Sequence, residues 1–366
     1  MFTVADEQFM RQALGLATTS LYLTSPNPRV GCVLVRDGQV LGEGATQSAG
    51  GDHAEVQAVK QALRRGHALE GATAYVSLEP CAHFGRTPPC ADLLVQHKVA
   101  RVVAAIEDPN PQVAGKGLQR LREAGVDVRC GLMADEAREL NIGFFSRMLR
   151  GRPWVRMKLA ASLDGITALP NGRSQWITSE DARADGHHWR ARACVVLTGV
   201  GTVLQDDPQL SVRFVDTPRQ PRKLLVDSRL QAPPAARLFD DGPVTVFSAK
   251  AGAAADALRA RGHEVVTLPD AQGKVDLTAL VMWLGKQSVN ELHVEAGTRL
   301  NGSLLRTGVV DELLIYLAPK LLGQGQGLAL LGPFDDLTQA LQLQLGSVEL
   351  IGRDLRIIAR TPSATF

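Results

Sequence analysis

The chain has 366 residues, more than one hydrophobic core ordinarily sustains, so two units are expected. Hydrophobic residues at 45% and charged residues at 21% exclude a disordered polymer. With 40 Lys and Arg against 38 Asp and Glu, the net charge of +2 excludes a chain-wide basic field for gripping nucleic acid.

Met1 to Leu16 reads as an amphipathic helix carrying Asp6, Glu7 and Arg11, without the basic start and apolar run of a secretion signal. No stretch reaches the roughly 20 apolar residues of a membrane span, so a cytoplasmic protein with no membrane partner is expected. Five cysteines, Cys32, Cys81, Cys90, Cys130 and Cys194, are odd in number and widely spaced, which fits reduced thiols or metal ligands better than a disulfide framework. Cys32, Cys130 and Cys194 read as small core residues.

In chain order, a helix is expected near 6–22, then strands at 30–35 and 40–43 around an Asp37-Gly38 hairpin turn. A helix follows at 54–65, a strand at 72–78, a loop, a helix near 91–97, a strand at 101–106, a helix near 117–124 and a strand at 126–129. This alternation predicts an α/β sandwich with helices covering a mixed sheet. Glu136 to Arg150 reads as one helix leading out of the unit, and Gly151-Arg152-Pro153 punctuates it, so the domains are expected at 1–146 and 153–366. The second unit restarts with a strand at 154–160 and a helix near 180–192. Strands are expected at 194–198, 223–226, 244–247, 265–268, 291–295 and 311–317, with a closing hairpin at 343–359 through Gly352-Arg353. The Ala-rich 249–257 stretch reads as a short helix, and His187-His188 as exposed residues of the 180–192 helix.

One constellation carries chemistry by itself. His53-Ala54-Glu55 is followed by Pro80-Cys81 and Cys90, so one imidazole and two thiolates provide three zinc ligands and leave a fourth position for water. Glu55, two residues after the ligand His at a helix start, suits a proton shuttle. Cys90 precedes a helix whose dipole favours a thiolate. His83 in the intervening loop is the rival ligand.

These residues resemble the cytidine deaminase superfamily, whose pattern is H-x-E followed by P-C-x-x-C, although eight residues separate Cys81 from Cys90 here. The longer insertion, together with Pro26-Asn27-Pro28-Arg29-Val30-Gly31-Cys32-Val33, Asp108-Pro109-Asn110-Pro111 and Gly115-Lys116-Gly117, resembles the bifunctional deaminase/reductase family of riboflavin biosynthesis. The resemblance implies a cytidine-deaminase-like α/β/α sandwich, Zn2+, and a small phosphorylated substrate, the diaminopyrimidinone ribosylamine 5′-phosphate. Asn27 can offer donors and an acceptor to a pyrimidine edge, and Asp108 and Asn110 suit ribose hydroxyls. All three also read as plain turn residues, since Asn-Pro and Asp-Pro pairs start turns without a ligand. Lys116 and Arg86 are divided between phosphate contact and solvated loop positions.

In the second unit no strand-bounded G-x-G-x-x-G appears. His293 to Ser303 reads as a strand ending in glycine and opening a helix, a geometry whose free amides suit a phosphate or make an ordinary turn. Lys158 to Gly165, Ser174 to Thr178, Leu197 to Pro208, Val294 to Gly297 and Leu317 to Lys320 resemble the reductase half of the same family. That resemblance implies a dihydrofolate-reductase-like α/β fold, NADPH, hydride delivery to the sugar C1′, and a homo-oligomer. Matching positions imply NADPH contacts at Ala160, Trp176, Thr202, Asp206, Ser228 and through Gly297, Thr298, Arg299, Leu300, Asn301, Gly302 and Ser303. Substrate contacts are implied at Ser174, Arg190, Leu210, Arg213 and Glu295, with Lys158 a further candidate on the substrate side. Arg190 and Arg213 can clamp a phosphate, Glu295 can hold sugar hydroxyls, and Asp206 can handle a proton. The alternative is an RNA or DNA base deaminase with a nucleic-acid-binding C-terminal domain; it predicts a basic face and exposed stacking aromatics, and aromatics are 5% of the chain.

Overall fold

The computed structural model describes residues 1–82 and 89–365. Two compact units divide it, Met1–Arg150 and Gly151–Phe366.

The first unit runs α1 (Val4–Thr18), β1 (Gly31–Arg36), β2 (Gln39–Ala45), α2 (Ala54–Arg64), β3 (Thr73–Val76), α3 (Cys90–Gln96), β4 (Arg101–Ala104), α4 (Lys116–Glu123), β5 (Asp127–Cys130), α5 (Ala134–Leu140) and α6 (Ile142–Arg150). Its five strands lie in the order β2-β1-β3-β4-β5. β1 is antiparallel to both neighbours, and β3, β4 and β5 run parallel. The β1–β2 turn puts Asp37 at φ 53° and Gly38 at φ 76°, as a two-residue hairpin of this twist requires.

Close packing makes this sheet a sandwich. A Cβ on Gly31 would stand 1.9 Å from the Ala13 carbonyl of α1, and one on Gly44 would stand 2.3 Å from the Ala54 carbonyl of α2. Gly44 lies opposite Cys32, the neighbour of Gly31, and successive strand residues face opposite ways. α1 and α2 therefore cover opposite faces, each seated so closely that only glycine fits beneath it. Cys32, Val33 and Leu34 on β1 are fully buried, and burial of a Val or Leu side chain contributes roughly 1.5–3 kcal/mol.

The helix expected from 136 to 150 is broken. Asn141 leaves the helical region at φ −111°, and its buried side chain accepts from Arg29 N at 2.7 Å and donates to Arg29 O at 2.8 Å. Two good main-chain partners outside the helix outweigh one lost helical turn. Cys130, expected in the core, is exposed because the last strand of the sheet carries it at its end.

The second unit runs β6 (Trp154–Ser162), α7 (Glu180–Arg192), β7 (Val195–Gly199), α8 (Val200–Asp206), β8 (Arg222–Val226), β9 (Val244–Ser248), α9 (Ala253–Ala260), β10 (Glu264–Thr267), α10 (Leu277–Lys286), β11 (Glu291–Val294), α11 (Thr298–Arg306), β12 (Glu312–Ala318), β13 (Gln344–Ile351) and β14 (Asp354–Arg360). The nine strands lie in the order β10-β9-β8-β7-β11-β6-β12-β14-β13. From β10 to β12 in that order the strands run parallel, whereas at the other edge β14 is antiparallel to β12 and β13 is antiparallel to β14. Val195, Val196 and Leu197 are all fully buried, as expected of a strand covered on both faces. His187 is also buried, contrary to the exposed position expected for it. The ring of Phe214 stands edge-on to it at 4.8 Å, and its Nδ1 accepts from Arg213 N at 3.2 Å.

Candidate active sites of the two units

In the first unit, three segments converge. His53 is the N-cap of α2, Glu55 lies in the first turn of that helix, Cys90 is the first residue of α3, and Cys81 follows β3. His53 Nδ1 lies 3.7 Å from Cys81 Sγ and 3.3 Å from Cys90 Sγ. All three donor atoms fall within 4.8 Å of one another. One ion with bonds of roughly 2.0–2.3 Å to nitrogen and sulfur can meet them together, and this borderline-soft donor set suits zinc. Cys90 N donates to Cys81 Sγ at 3.3 Å. The hydrogen bond from the Cys90 side chain draws the Cys81 thiol down to about 4, and the same bond, with burial, raises Cys90. Glu55 is 3% exposed, and burial pushes its carboxyl up to about 7.

Asn27 is half-buried, and its backbone N–H donates to Thr24 O at 2.8 Å. Asp108 is buried and accepts from Asn110 N at 2.8 Å, while Asn110 accepts from Gln112 N at 3.1 Å. The turn reading of Asp108 and Asn110 is thus present in the structure, and it leaves each side chain with further hydrogen-bonding capacity. Burial raises Asp108 to about 7. Lys116 Nζ donates to the carbonyls of Pro111 and Gln112, closing its own loop. His83 and Arg86 lie outside the described residues.

In the second unit, the candidates gather at the carboxyl ends of β8, β7, β11 and β6, which are successive neighbours in the sheet. Ser228 follows β8, Thr202 lies in α8 after β7, Gly297 caps α11 after β11, and Ala160 lies toward the end of β6. A Cβ on Gly297 would stand 3.6 Å from Thr202 Oγ1, and one on Gly199 would stand 3.0 Å from the Leu300 side chain, so the two strand-to-helix turns abut. A crevice beyond parallel strand ends is where open α/β sheets take their ligands. Trp176 is 63% exposed, with the Arg183 guanidinium 4.5 Å from its ring centre. Ser174 and Asp206 hydroxyl and carboxylate oxygens are 3.5 Å apart.

Arg190 donates to Glu295 through Nε at 2.6 Å and Nη2 at 2.8 Å, and to Ser211 O through Nη1 at 2.6 Å. Burial opposes the charge of Glu295, yet Arg190 holds its carboxyl well below the usual carboxylate range. Burial lowers Lys158, whose ammonium lies 5.9 Å from the Tyr316 ring centre. Leu210 is buried at φ 58°. Arg213 sits in the loop that covers His187. Ser228 Oγ accepts from Val275 N at 3.1 Å. Asn301 donates to Ala296 O and Leu328 O, a Cβ on Gly302 would meet Leu330 O at 2.0 Å, and Ser303 donates to Arg299 O. Thr298 O accepts from Leu330 N.

Two buried groups escaped the sequence reading. Glu79 receives four backbone amides beside the metal-ligand set. His293 is fully buried with its Nε2 3.5 Å from Glu295 Oε1, and burial lowers it to about 3. The Glu79-Pro80-Cys81 run marks the place of the first, but nothing local marks its partners.

The family described as cytidine and deoxycytidylate deaminase zinc-binding region matches residues 3–106, and the RibD C-terminal domain matches residues 153–357. The riboflavin biosynthesis protein RibD of Escherichia coli is 46% identical over 365 residues, covering 96% of this chain and 98% of that protein. The chain belongs to the RibD family. RibD of Aquifex aeolicus is 40% identical over 359 residues, covering 98% of this chain and 99% of that one. Two solved structures are similar over 98% of this chain and 99% of theirs. RibD of Acinetobacter baumannii has 41% identity and a TM-score of 0.88. The diaminohydroxyphosphoribosylaminopyrimidine deaminase/5-amino-6-(5-phosphoribosylamino)uracil reductase of Thermotoga maritima has 31% identity and a TM-score of 0.89. The chain is accordingly a bifunctional deaminase and reductase of riboflavin biosynthesis, with a zinc-binding deaminase region and a reductase that draws on a nicotinamide cofactor. A RibD C-terminal domain occupies the place that the alternative reading gave to a nucleic-acid-binding domain. Among the described residues no helix is long and apolar enough to cross a membrane.

Proposed function

We propose that residues 1–146 hydrolytically deaminate 2,5-diamino-6-ribosylamino-4(3H)-pyrimidinone 5′-phosphate, and that residues 153–366 then use NADPH to reduce the ribosyl side chain to ribityl. The observation that carries this reading is the meeting of His53 Nδ1, Cys81 Sγ and Cys90 Sγ within 4.8 Å. His53, Cys81 and Cys90 would hold the zinc, which would supply Lewis acidity that brings the pKa of a water toward about 7. Glu55 takes up the proton released as the water oxygen bonds to the ring carbon, and returns a proton to the departing amine, which leaves as ammonia. Glu55, buried in the first turn of α2 beside the ligand set, is placed to carry that proton in both directions. Asn27 reads the pyrimidine edge, and Asp108 and Asn110 take ribose hydroxyls.

In the reductase, Ala160, Trp176, Thr202, Asp206, Ser228 and the Gly297–Ser303 turn hold NADPH, which supplies a hydride. Lys158, Ser174, Arg190, Leu210, Arg213 and Glu295 hold the substrate. Arg190 keeps Glu295 ionised, ready to accept from sugar hydroxyls. As hydride reaches C1′ of the ring-opened, imine-like form, the nitrogen gains a proton, and Asp206, raised by burial, is the candidate donor. The same reading includes a cytoplasmic setting and a homo-oligomer. β13 supports the latter: it is an edge strand with Leu345, Val348 and Leu350 exposed, a ready template for pairing with another chain.

Mass spectrometry of products formed by the zinc-loaded chain, with and without NADPH, tests the proposal. The deaminated ribosyl compound is expected without NADPH and the ribityl compound with it. Deamination with no ribityl product under either condition would overturn the reductase half of the reading.

A further inference from the structure

Glu79 stands two residues ahead of Cys81 and is 4% exposed. Its Oε2 accepts from Asp108 N at 3.1 Å and Gly115 N at 2.9 Å, and its Oε1 accepts from Gly117 N at 2.8 Å and Leu118 N at 3.2 Å. All four donors lie on the stretch that runs from Asp108 into the first turn of α4. That helix has no cap of its own, because its N-cap is Gly115, in the left-handed region at φ 80°. The first amides of a helix lack intrahelical acceptors, and its N-terminal dipole favours a negative charge, so a carboxylate from another segment completes it.

The approach is close. A Cβ on Gly117 would stand 1.9 Å from the Pro80 carbonyl oxygen and 3.2 Å from Glu79 Oε1. One turn on, Arg120 donates to Ala82 O at 3.2 Å and pairs with Asp92 of α3 at 2.5 Å. The backbone is thus tied to α4 on both sides of Cys81.

We propose that Glu79 is a positioning residue of the deaminase. Its carboxylate holds the Cys81 turn and the Asp108–Gly117 segment in one register, which sets the span between the metal ligands and the side chains that take the ribose. This rests on the roles proposed above for Cys81, Asp108 and Asn110. Glu79 does not touch the reacting atoms; it acts through the loop it holds. Loosening that span by about 1 Å is enough to cost as much as ~100-fold in rate. Glutamine at this position places an NH2 group opposite two N–H donors, so two of the four bonds are lost and replaced by donor–donor repulsion.

The test uses the full-length zinc-loaded chain with Glu79→Gln. The deaminase KM is expected to rise about tenfold, a fraction of the ~100-fold limit for misplacement, with a smaller change in kcat. Zinc per chain and the reductase constants are expected to stay at wild-type values. Hydrogen exchange at Asp108, Gly115, Gly117 and Leu118 should speed up while β3 and β4 amides keep their protection, and Glu79→Asp, which retains both oxygens, should restore part of the KM. An unchanged KM in Glu79→Gln overturns the proposal, as does a parallel fall of both activities, which marks a residue that only supports folding. If the variant does not fold, exchange in the wild-type chain decides: slow exchange at Gly117 and Leu118 supports the brace, and open-solvent rates there overturn it. A wild-type chain that releases no ammonia contradicts the functional reading instead, and does so before any variant is made.

Discussion

The two units hold their charge in opposite ways. In the first, chemistry is concentrated at one point, where His53, Cys81 and Cys90 face one another and a buried Glu55 is kept from ionising easily. In the second, charge is spread along the carboxyl ends of adjacent strands, and Glu295 is kept ionised by Arg190. On the roles proposed above, Glu55 needs to exchange a proton, whereas Glu295 needs to remain a permanent acceptor for sugar hydroxyls. Burial is common to Glu55 and Glu295; the Arg190 partner makes the difference.

The largest effect that would sharpen this contrast comes from metal removal. Treating the full-length chain with a strong chelator should lower ammonia release by at least ~10³-fold, since zinc carries the water from pKa ~15.7 toward ~7. Reduction of supplied deaminated substrate should stay unchanged. A parallel loss of both rates would break the comparison. Next comes Glu295→Gln, which removes the anionic partner of Arg190. A charged hydrogen bond worth ~1.5–3 kcal/mol predicts a fall of about 10–100-fold in reductase kcat/KM, with ammonia release unaffected.

Acid separates the units by sign. In the second, His293 and His187 are lowered by burial to about 3 and about 4. Their folded values lie below the unfolded value of 6.5, so the stability they contribute is present above pH 6.5 and lost as pH falls toward 4. In the first, Glu55 and Asp108 are raised by burial to about 7. Their contribution is present below pH 4 and lost as pH rises through 7; Cys81, drawn down to about 4, works the other way, but the two carboxyls outweigh the one thiol, so between pH 7 and 5 this unit should gain stability while the other loses it. Calorimetry on metal-free protein checks this as two transitions moving in opposite directions by a few degrees. The smallest effect concerns Lys320, whose Nζ donates to Trp176 O at 3.3 Å and Ile177 O at 2.7 Å. Lys320→Met should raise the KM for NADPH roughly twofold to tenfold, the size of one or two such bonds, and leave the deaminase alone.

Legibility in the sequence followed from the kind of group involved. Metal ligation needs particular side chains at short spacing, so His53, Glu55, Cys81 and Cys90 stood out. The strand and helix alternation was equally plain, because each element writes its own period. What stayed hidden depended on partners far along the chain. The helix break at Asn141 answers to Arg29, the buried position of His187 answers to Phe214 and Arg213, and the brace at Glu79 answers to amides from Asp108 to Leu118. The contacts proposed for the reductase rest on resemblance to a family, since serines, threonines and single charges at strand ends carry no spacing rule of their own.

Two separable chemistries are proposed for the chain, with Glu55 as the proton carrier of the first. The direct measurement is ammonia release and NADPH oxidation by the same full-length Glu55→Gln protein, given the diaminopyrimidinone in one assay and its deaminated product in the other. Ammonia release is expected to fall by about 10²–10⁴-fold, the usual contribution of a general acid–base, with NADPH oxidation at the wild-type rate. Ammonia release at the wild-type rate would rule Glu55 out as the proton carrier.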